Sequence, residues 1–114
     1  MELRRISEAL NCTVLTGDDD MSIDVQTVAA SDGMSEILAC PSPGALMITG
    51  LINIQSVRAA DVADVRAIVY VRGKHPNAKV IALARQKGIA LLATEFGMFD
   101  ACGILRNHGL KGTM

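Results

Sequence analysis

Arg72, Lys74 and His75 are the residues of this chain whose types and spacing best suit the binding of an anion. Two of them carry a fixed positive charge and the third is a titratable donor. They follow an apolar run that ends at Val71, and Pro76 then predicts the start of a helix, whose N-terminus attracts anions. The sequence therefore predicts an anion site here, and the alternative is a solvated loop with ordinary surface charges.

Three apolar runs end abruptly in small or polar residues, and each is followed by a helix-like segment. This alternation is typical of an α/β fold in which a mostly parallel sheet is covered by helices. Because open α/β sheets usually bind ligands outside the carboxyl ends of their strands, the residues at these endings are candidate site residues. The runs and their endings are Ala45–Ile48 with Thr49-Gly50, Ala67–Val71 with Arg72-Gly73-Lys74, and Ile89–Ala93 with Thr94-Glu95.

Eight residues form the predicted ligand site. We expect its glycines to let the backbone approach a ligand, its hydroxyl and amide side chains to orient the ligand, and its cations to neutralise an anionic group. They are Thr49, Gly50, Asn53, Arg72, Gly73, Lys74, Thr94 and Glu95. The alternative is a small enzyme that uses His75 and Glu95 as acid and base, since both follow neighbouring strands.

Standard catalytic and nucleotide motifs are absent from the sequence. Gly73-Lys74 lacks the preceding glycine of a phosphate-binding loop, and no G-x-G-x-x-G fingerprint occurs. Asp18-Asp19-Asp20 lacks the spacing of a calcium loop and predicts a solvated turn. Cys12, Cys40 and Cys102 are far apart in apolar surroundings, which predicts buried thiols. We therefore expect no metal and no cofactor.

Composition favours a small cytoplasmic module with residues 1–114 as one domain. The net charge of −1 argues against binding to nucleic acid or to an anionic membrane. The N-terminus does not resemble a signal peptide, and no apolar stretch approaches the roughly 20 residues that span a bilayer. Half of the residues are hydrophobic but only 3% are aromatic, and this apolar excess predicts a homodimer.

Periodicity and capping signals predict the remaining elements. Ser31 or Asp32 is expected to cap a short helix, Asn53 and Thr94 to cap two later ones, and Pro76 to stand in the first turn of the helix that Gly88 ends. In the last helix, Phe99, Cys102 and Leu105 are expected to face inward, and a frayed tail to follow Gly109. The bounds are a helix at 2–11, strands at Thr13–Leu15 and Val25–Ala30, helices at Met34–Ala39 and Asn53–Val62, and a tail at Leu110–Met114.

The same segments resemble the DRTGG domain over nearly the whole chain. The chain is most similar to small stand-alone DRTGG proteins that are often encoded beside iron-only hydrogenase subunits and associated signalling proteins. The Ser31-Asp32 turn is compatible with that family, and its recurring Val-x-Gly-x-x-Pro turn is here Val71–Pro76. The motifs that carry the resemblance are Ile48-Thr49-Gly50, Asn53-Ile54-Gln55, Ile68–Gly73, Ile89–Thr94 and Phe99.

The resemblance implies an α/β fold like that of the N-terminal domain of HPr kinase/phosphorylase. It also implies a regulatory or assembly role, because DRTGG domains occur fused to CBS pairs and to phosphate acetyltransferase. The catalytic kinase domain of the HPr enzyme is a separate domain. The family's naming residues are replaced: Leu51 and Ile52 stand in place of the Asp-Arg pair, and Val71-Arg72-Gly73 in place of Thr-Gly-Gly.

Together, the residues and the resemblance predict a non-catalytic regulatory or assembly module of a cytoplasmic signalling system with a link to hydrogenase. We expect the module to act by protein contact or by binding a small anion such as a nucleotide or a phosphorylated metabolite. Its expected partners are a second copy of itself and a signalling or hydrogenase-system protein. A purely structural partner-binding protein, whose loops at the strand ends are only connectors, is left open.

Overall fold

Five helices and six short strands make up the computed structural model, which describes all 114 residues. The helices are α1 (Leu3–Ala9), α2 (Met34–Ala39), α3 (Ile54–Val62), α4 (Ala78–Lys87) and α5 (Met98–Asn107). The strands are β1 (Thr13–Thr16), β2 (Thr27–Ala30), β3 (Leu46–Thr49), β4 (Ala67–Tyr70), β5 (Ala90–Ala93) and β6 (Lys111–Gly112).

The strands form one sheet in the order β1-β5-β4-β3-β2-β6. Only β1 runs antiparallel to its neighbour β5, and every other pair is parallel. The predicted α/β architecture, a mostly parallel sheet covered by helices, is therefore confirmed. Its parallel strands bring the endings of β2, β3, β4 and β5 to one edge of the sheet.

Helices cover both faces of the sheet, which explains why the central strands read as unbroken apolar runs. Helices α1 and α5 pack on one face, where Leu46 and Ile48 of β3 are fully buried. Helices α2, α3 and α4 pack on the other face, against Met47. Alternate residues of one strand thus enter two separate cores, and no position of β3 is left for a polar side chain facing solvent.

The predicted cap of α3 by Asn53 and the predicted end of α4 at Gly88 are confirmed. The Asn53 Oδ1 atom accepts a hydrogen bond from the Gln55 N–H at 3.1 Å, and Gly88 ends α4 with a φ of 71°. The placement of Pro76 in the first turn of α4 was wrong. Asn77 caps that helix by accepting from the Val80 N–H, so Pro76 precedes the cap.

The prediction for the start of α5 was wrong. The helix begins only after Gly97, because the Thr94 hydroxyl donates to the Leu10 carbonyl oxygen at 2.6 Å instead of capping a helix. Leu105 is buried as expected, but Phe99 lies about 120° around the helix from it. The Phe99 side chain is 90% exposed, which corrects the expectation that it faces inward.

The C-terminal segment is ordered into the sheet, so the predicted frayed tail was also wrong. Leu110 is buried, and the two residues of β6 pair in parallel with β2. The Thr113 N–H donates to the Val28 carbonyl oxygen at 3.0 Å. Burial of Leu110 thus anchors a strand too short to show any periodicity.

Other expectations concerned the cysteines and the acidic turn. All three cysteines are half-buried and free, rather than fully buried, and burial raises the pKa of the Cys12 thiol to about 12. Asp18–Asp20 forms a single 3-10 turn at the surface. None of the helices has the length and apolar character needed to cross a membrane.

Candidate functional site

Four charged side chains gather where the parallel strands end, and we call Asp32, Arg72, Lys74 and Glu95 the strand-end cluster. Asp32 follows β2, Arg72 and Lys74 follow β4, and Glu95 follows β5. All four residues are exposed. They occupy the edge of the sheet at which open α/β folds bind ligands.

Asp32 connects three of the loops. Its Oδ1 atom accepts hydrogen bonds from the Gly50 N–H at 2.7 Å and from the Thr49 hydroxyl at 3.2 Å, and its Oδ2 atom lies 3.6 Å from Arg72 Nη2. These contacts, chiefly the Gly50 hydrogen bond, hold the pKa of Asp32 below its usual value. The carboxylate is therefore ionised throughout the neutral range.

At Gly50 a side chain closely approaches the backbone. A Cβ atom at this position would overlap the Arg72 guanidinium, so the guanidinium lies directly against the Gly50 backbone. The Lys74 ammonium donates to the Gly50 carbonyl oxygen at 3.4 Å. The space that Gly50 was predicted to leave for a ligand is thus occupied by Arg72.

A tight turn presents the two cations. Arg72 and Gly73 have φ angles of 62° and 68°, as the two central residues of a type I′ turn require. The Arg72 N–H donates to the Phe96 carbonyl oxygen at 2.8 Å, and the Gly73 N–H to the Thr94 carbonyl oxygen at 2.9 Å. Both amides are engaged within the fold, so the cationic side chains are the groups that the turn offers to an anion.

The predicted orienting residues also have partners within the fold. The Thr49 hydroxyl donates to Asp32 and accepts from a backbone N–H, while Asn53 caps α3. The Thr94 hydroxyl donates to one backbone carbonyl oxygen and accepts from the Phe96 N–H. These three side chains fix the loops around the cluster, and their contact with a ligand stays a prediction.

The alternative prediction was a small enzyme that uses His75 and Glu95 as acid and base. The Glu95 carboxylate lies against Gly73, where a Cβ atom would overlap it. Both side chains are exposed, and no hydrogen bond or ion pair joins them. A cavity of about 220 Å³ adjoins Glu95, and its lining contains neither His75 nor another charged residue. No observation in the structure favours an acid–base pair here.

Sequence reasoning missed Asp32 as a site residue because it assigned Ser31 or Asp32 as the cap of α2. That assignment was wrong: α2 begins after Gly33 without a side-chain cap, and the Ser31 hydroxyl accepts from the Gly33 N–H at 2.9 Å. Asp32 is the second residue after β2, so treating the β2 run as a fourth strand ending would have found it. Asp32 and Glu95 supply two negative charges beside the two positive charges of Arg72 and Lys74, so the cluster is balanced in charge.

Comparison with solved structures gives a relative of the same fold. It is the crystal structure of the CBS and DRTGG domains of the regulatory region of Clostridium perfringens pyrophosphatase, complexed with the activator diadenosine tetraphosphate. The match has a TM-score of 0.76 at 18% sequence identity and covers 91% of this chain. It covers 45% of the other chain, so the present chain spans less than half of that structure.

Comparison with families gives the assignment. No match was found among the curated proteins. The model of the DRTGG domain, in contrast, matches residues 5–107, which include every strand except β6 and the whole strand-end cluster. The sequence match and the shared architecture agree, and this chain belongs to the DRTGG domain family.

Proposed function

We propose that this chain is a non-catalytic regulatory module that binds a small phosphorylated ligand through Arg72 and Lys74. Membership of the DRTGG family supports the regulatory role. The pyrophosphatase relative supports the ligand class, because it is a regulatory region in complex with a nucleotide activator. That region also contains CBS domains, so our assignment of the ligand to this chain depends on the geometry of its own residues.

The backbone conformation of Arg72 is the observation that carries the proposal. Three residues other than glycine have a positive φ: Asn11, Asp64 and Arg72. Asparagine and aspartate tolerate this region, but for other L-residues it costs roughly 1–2 kcal/mol. Such strain is typical of functional sites. Here it directs a cationic side chain across the end of β3, where a ligand can reach it.

The pairing of Arg72 suits an exchange of anions. Its distance of 3.6 Å to Asp32 is longer than the roughly 2.7–2.9 Å of a close charge-assisted hydrogen bond, and both side chains are about half exposed. A phosphate accepts two parallel hydrogen bonds from a guanidinium and carries more charge than a carboxylate. The ligand therefore replaces Asp32 as the partner of Arg72, and Lys74 adds a second cation.

This exchange also provides a means of signalling. Asp32 connects the loop after β2 to the loop after β4 only through Arg72. When a phosphate binds Arg72, the loop after β2 keeps its hydrogen bonds to Thr49 and Gly50. It loses its contact with the loop after β4. Ligand binding thereby separates the loop after β2 from the loop after β4, and this change at the strand ends is the signal.

The remaining parts of the proposal concern assembly. The module acts in the cytoplasm as a homodimer, which the 50% hydrophobic composition and the exposed Leu38 and Val62 side chains of α2 and α3 support. Its protein partner belongs to a signalling or hydrogenase system, as the resemblance to stand-alone DRTGG proteins implies. Sedimentation velocity of the purified chain measures the first part, and co-purification from the native cell measures the second.

Thermal unfolding against nucleotides, dinucleotides that include diadenosine tetraphosphate, and phosphorylated metabolites tests the ligand site. A ligand at 100 times its Kd adds about 2.7 kcal/mol, which raises the Tm of a domain of this size by about ten degrees. We expect the shift to disappear in an Arg72→Asn, Lys74→Gln double variant. Arg72→Asn keeps a residue type that tolerates a positive φ, so the turn is preserved.

The matched control is the Arg58→Gln, Arg85→Gln double variant, which removes two exposed cations from α3 and the far end of α4. It should retain the full shift. Equal loss of the shift in both double variants would reduce the effect to general electrostatics. If the Arg72→Asn, Lys74→Gln variant binds the ligand with an affinity within threefold of that of the wild type, the proposed site is wrong.

A further inference from the structure

A second candidate site lies in a groove between α5 and the β2–β6 edge of the sheet. The groove has a volume of about 330 Å³, at the lower end of the range of small-molecule pockets. Val28 and Leu105 form part of its apolar wall, and the exposed Phe99 ring stands at its rim. None of the residues of the strand-end cluster lines it.

Two glycines keep this groove open. Gly103 lies inside α5 and Gly112 in β6, and neither has a positive φ. A Cβ atom on Gly103 would meet nothing within 4 Å, and one on Gly112 would meet only ordinary contacts at 3.7 Å or more. The fold thus requires glycine at neither position, although glycine inside a helix is less stable than alanine. What both glycines provide is empty space facing the groove.

The charges around the groove favour an anion. Its lining contains two charged residues, Arg106 and Lys111, and both are basic. The Arg106 guanidinium donates to the Leu110 carbonyl oxygen at 3.4 Å, which holds it at the end of the groove between α5 and β6. A ligand whose apolar part fills the groove therefore places an acidic group beside the Arg106 guanidinium, where the two charges are complementary.

We propose that the groove between α5 and β6 binds a small apolar molecule that carries one acidic group. The apolar part fills the space over Gly103 and Gly112 and packs against Phe99. The acidic group pairs with Arg106. This site is independent of the phosphate site proposed above, because the two share no residue.

Two fluorescent probes of one skeleton test the proposal. The probe 8-anilino-1-naphthalenesulfonate is an apolar anion, and N-phenyl-1-naphthylamine is the same skeleton without the sulfonate. We expect the wild-type chain to bind both. Arg106→Gln should weaken binding of the sulfonate about tenfold and leave the neutral probe unchanged, since a hydrogen bond to a charged group contributes about 1.5–3 kcal/mol.

Filling the groove provides the second arm. Gly103→Leu should weaken binding of both probes more than tenfold, and Gly112→Val should do the same from the opposite wall. The control is Ala82→Leu, which adds an equally apolar side chain to an exposed position of α4 away from the groove. Thermal unfolding of each variant verifies the fold before binding is compared.

Three outcomes would overturn the proposal. Binding of the probes that survives both groove-filling variants would place them elsewhere on the surface. If Arg106→Gln weakened the binding of both probes equally, Arg106 would not pair with the acidic group of the ligand. Absence of probe binding, together with a sedimentation mass that Gly103→Leu lowers from dimer to monomer, would assign the groove to a second copy of the chain.

Discussion

The strand-end cluster and the groove beside α5 both contain glycines with space above them, but the space is used in opposite ways. At the cluster, the Arg72 guanidinium fills the space over Gly50 and the Glu95 carboxylate fills the space over Gly73. At the groove, nothing fills the space over Gly103. A ligand at the cluster must therefore replace a partner that is already in place, whereas a ligand in the groove replaces only water.

At the strand ends, buried polar side chains already have hydrogen-bond partners within the fold, and removing one of them should be costly. Thr94→Val should therefore lower stability more than a substitution of Gly88, Gly103 or Asp32 does. The Thr94 hydroxyl is buried at the strand ends and donates to the Leu10 carbonyl oxygen at 2.6 Å. Valine has a similar shape but leaves that carbonyl group without its donor, which costs about 1–3 kcal/mol. Urea unfolding should show a lower midpoint with an unchanged m-value.

The control for this prediction is Thr13→Val, an exposed position of β1. Its free energy of unfolding should stay within about 0.5 kcal/mol of the wild type. A Thr94→Val variant as stable as Thr13→Val would mean that the hydroxyl is not needed by the fold. Thr94 would then be available to a ligand, as the sequence predicted, and the contrast between the two regions would be weaker.

Gly103 and Gly88 should respond to alanine with opposite signs, because only Gly88 has a positive φ. Gly103→Ala should stabilise the chain by about 0.5–1 kcal/mol, because the helix gains propensity and the new Cβ atom meets nothing. Gly88→Ala should destabilise it by about 1 kcal/mol, since Gly88 ends α4 with a φ of 71°. Urea unfolding measures both changes. A loss of stability in Gly103→Ala would show that the fold needs this glycine and would remove the argument for an empty groove.

The parts of the fold that the sequence predicted are those that depend on local signals. Runs such as Ala45–Ile48 are apolar because both faces of each strand are buried, and this property is visible in the residues themselves. The neighbourhood of Thr49, Arg72 and Glu95 follows from the parallel arrangement, which brings strand endings to one edge. The shared location of these loops could therefore be predicted, but not the contacts within them.

The errors at the strand ends concern contacts between residues that are distant in the chain. Asp32 was assigned to α2 because capping is local, yet its carboxylate accepts from Gly50, 18 positions later. Thr94 was assigned as a cap, but it donates to Leu10, 84 positions earlier. A hydroxyl or carboxylate can satisfy either kind of partner, and only the assembled sheet decides between them. The same holds for β6, whose two residues become a strand through pairing with β2.

The smallest of these effects, that of Asp32→Asn, appears in the dependence of stability on pH. The pKa of Asp32 is lowered in the folded chain, chiefly by the Gly50 hydrogen bond and then by Thr49 and Arg72. A lowered pKa stabilises the fold above the unfolded value of about 3.9, and this stabilisation is lost as the pH falls through the folded pKa. The wild type should exceed Asp32→Asn in stability by no more than about 1 kcal/mol at neutral pH, since the group is half exposed.

That difference should shrink as the pH falls below about 4, and urea unfolding between pH 7 and pH 3 measures it. Arg72→Asn provides the comparison, because it removes only the 3.6 Å ion pair and leaves the hydrogen bonds from Gly50 and Thr49. We expect it to retain most of the acid dependence. If Arg72→Asn instead abolishes that dependence as completely as Asp32→Asn does, Arg72 is the main partner of the Asp32 carboxylate. A phosphate at the cluster would then compete with a stronger ion pair than the 3.6 Å distance indicates.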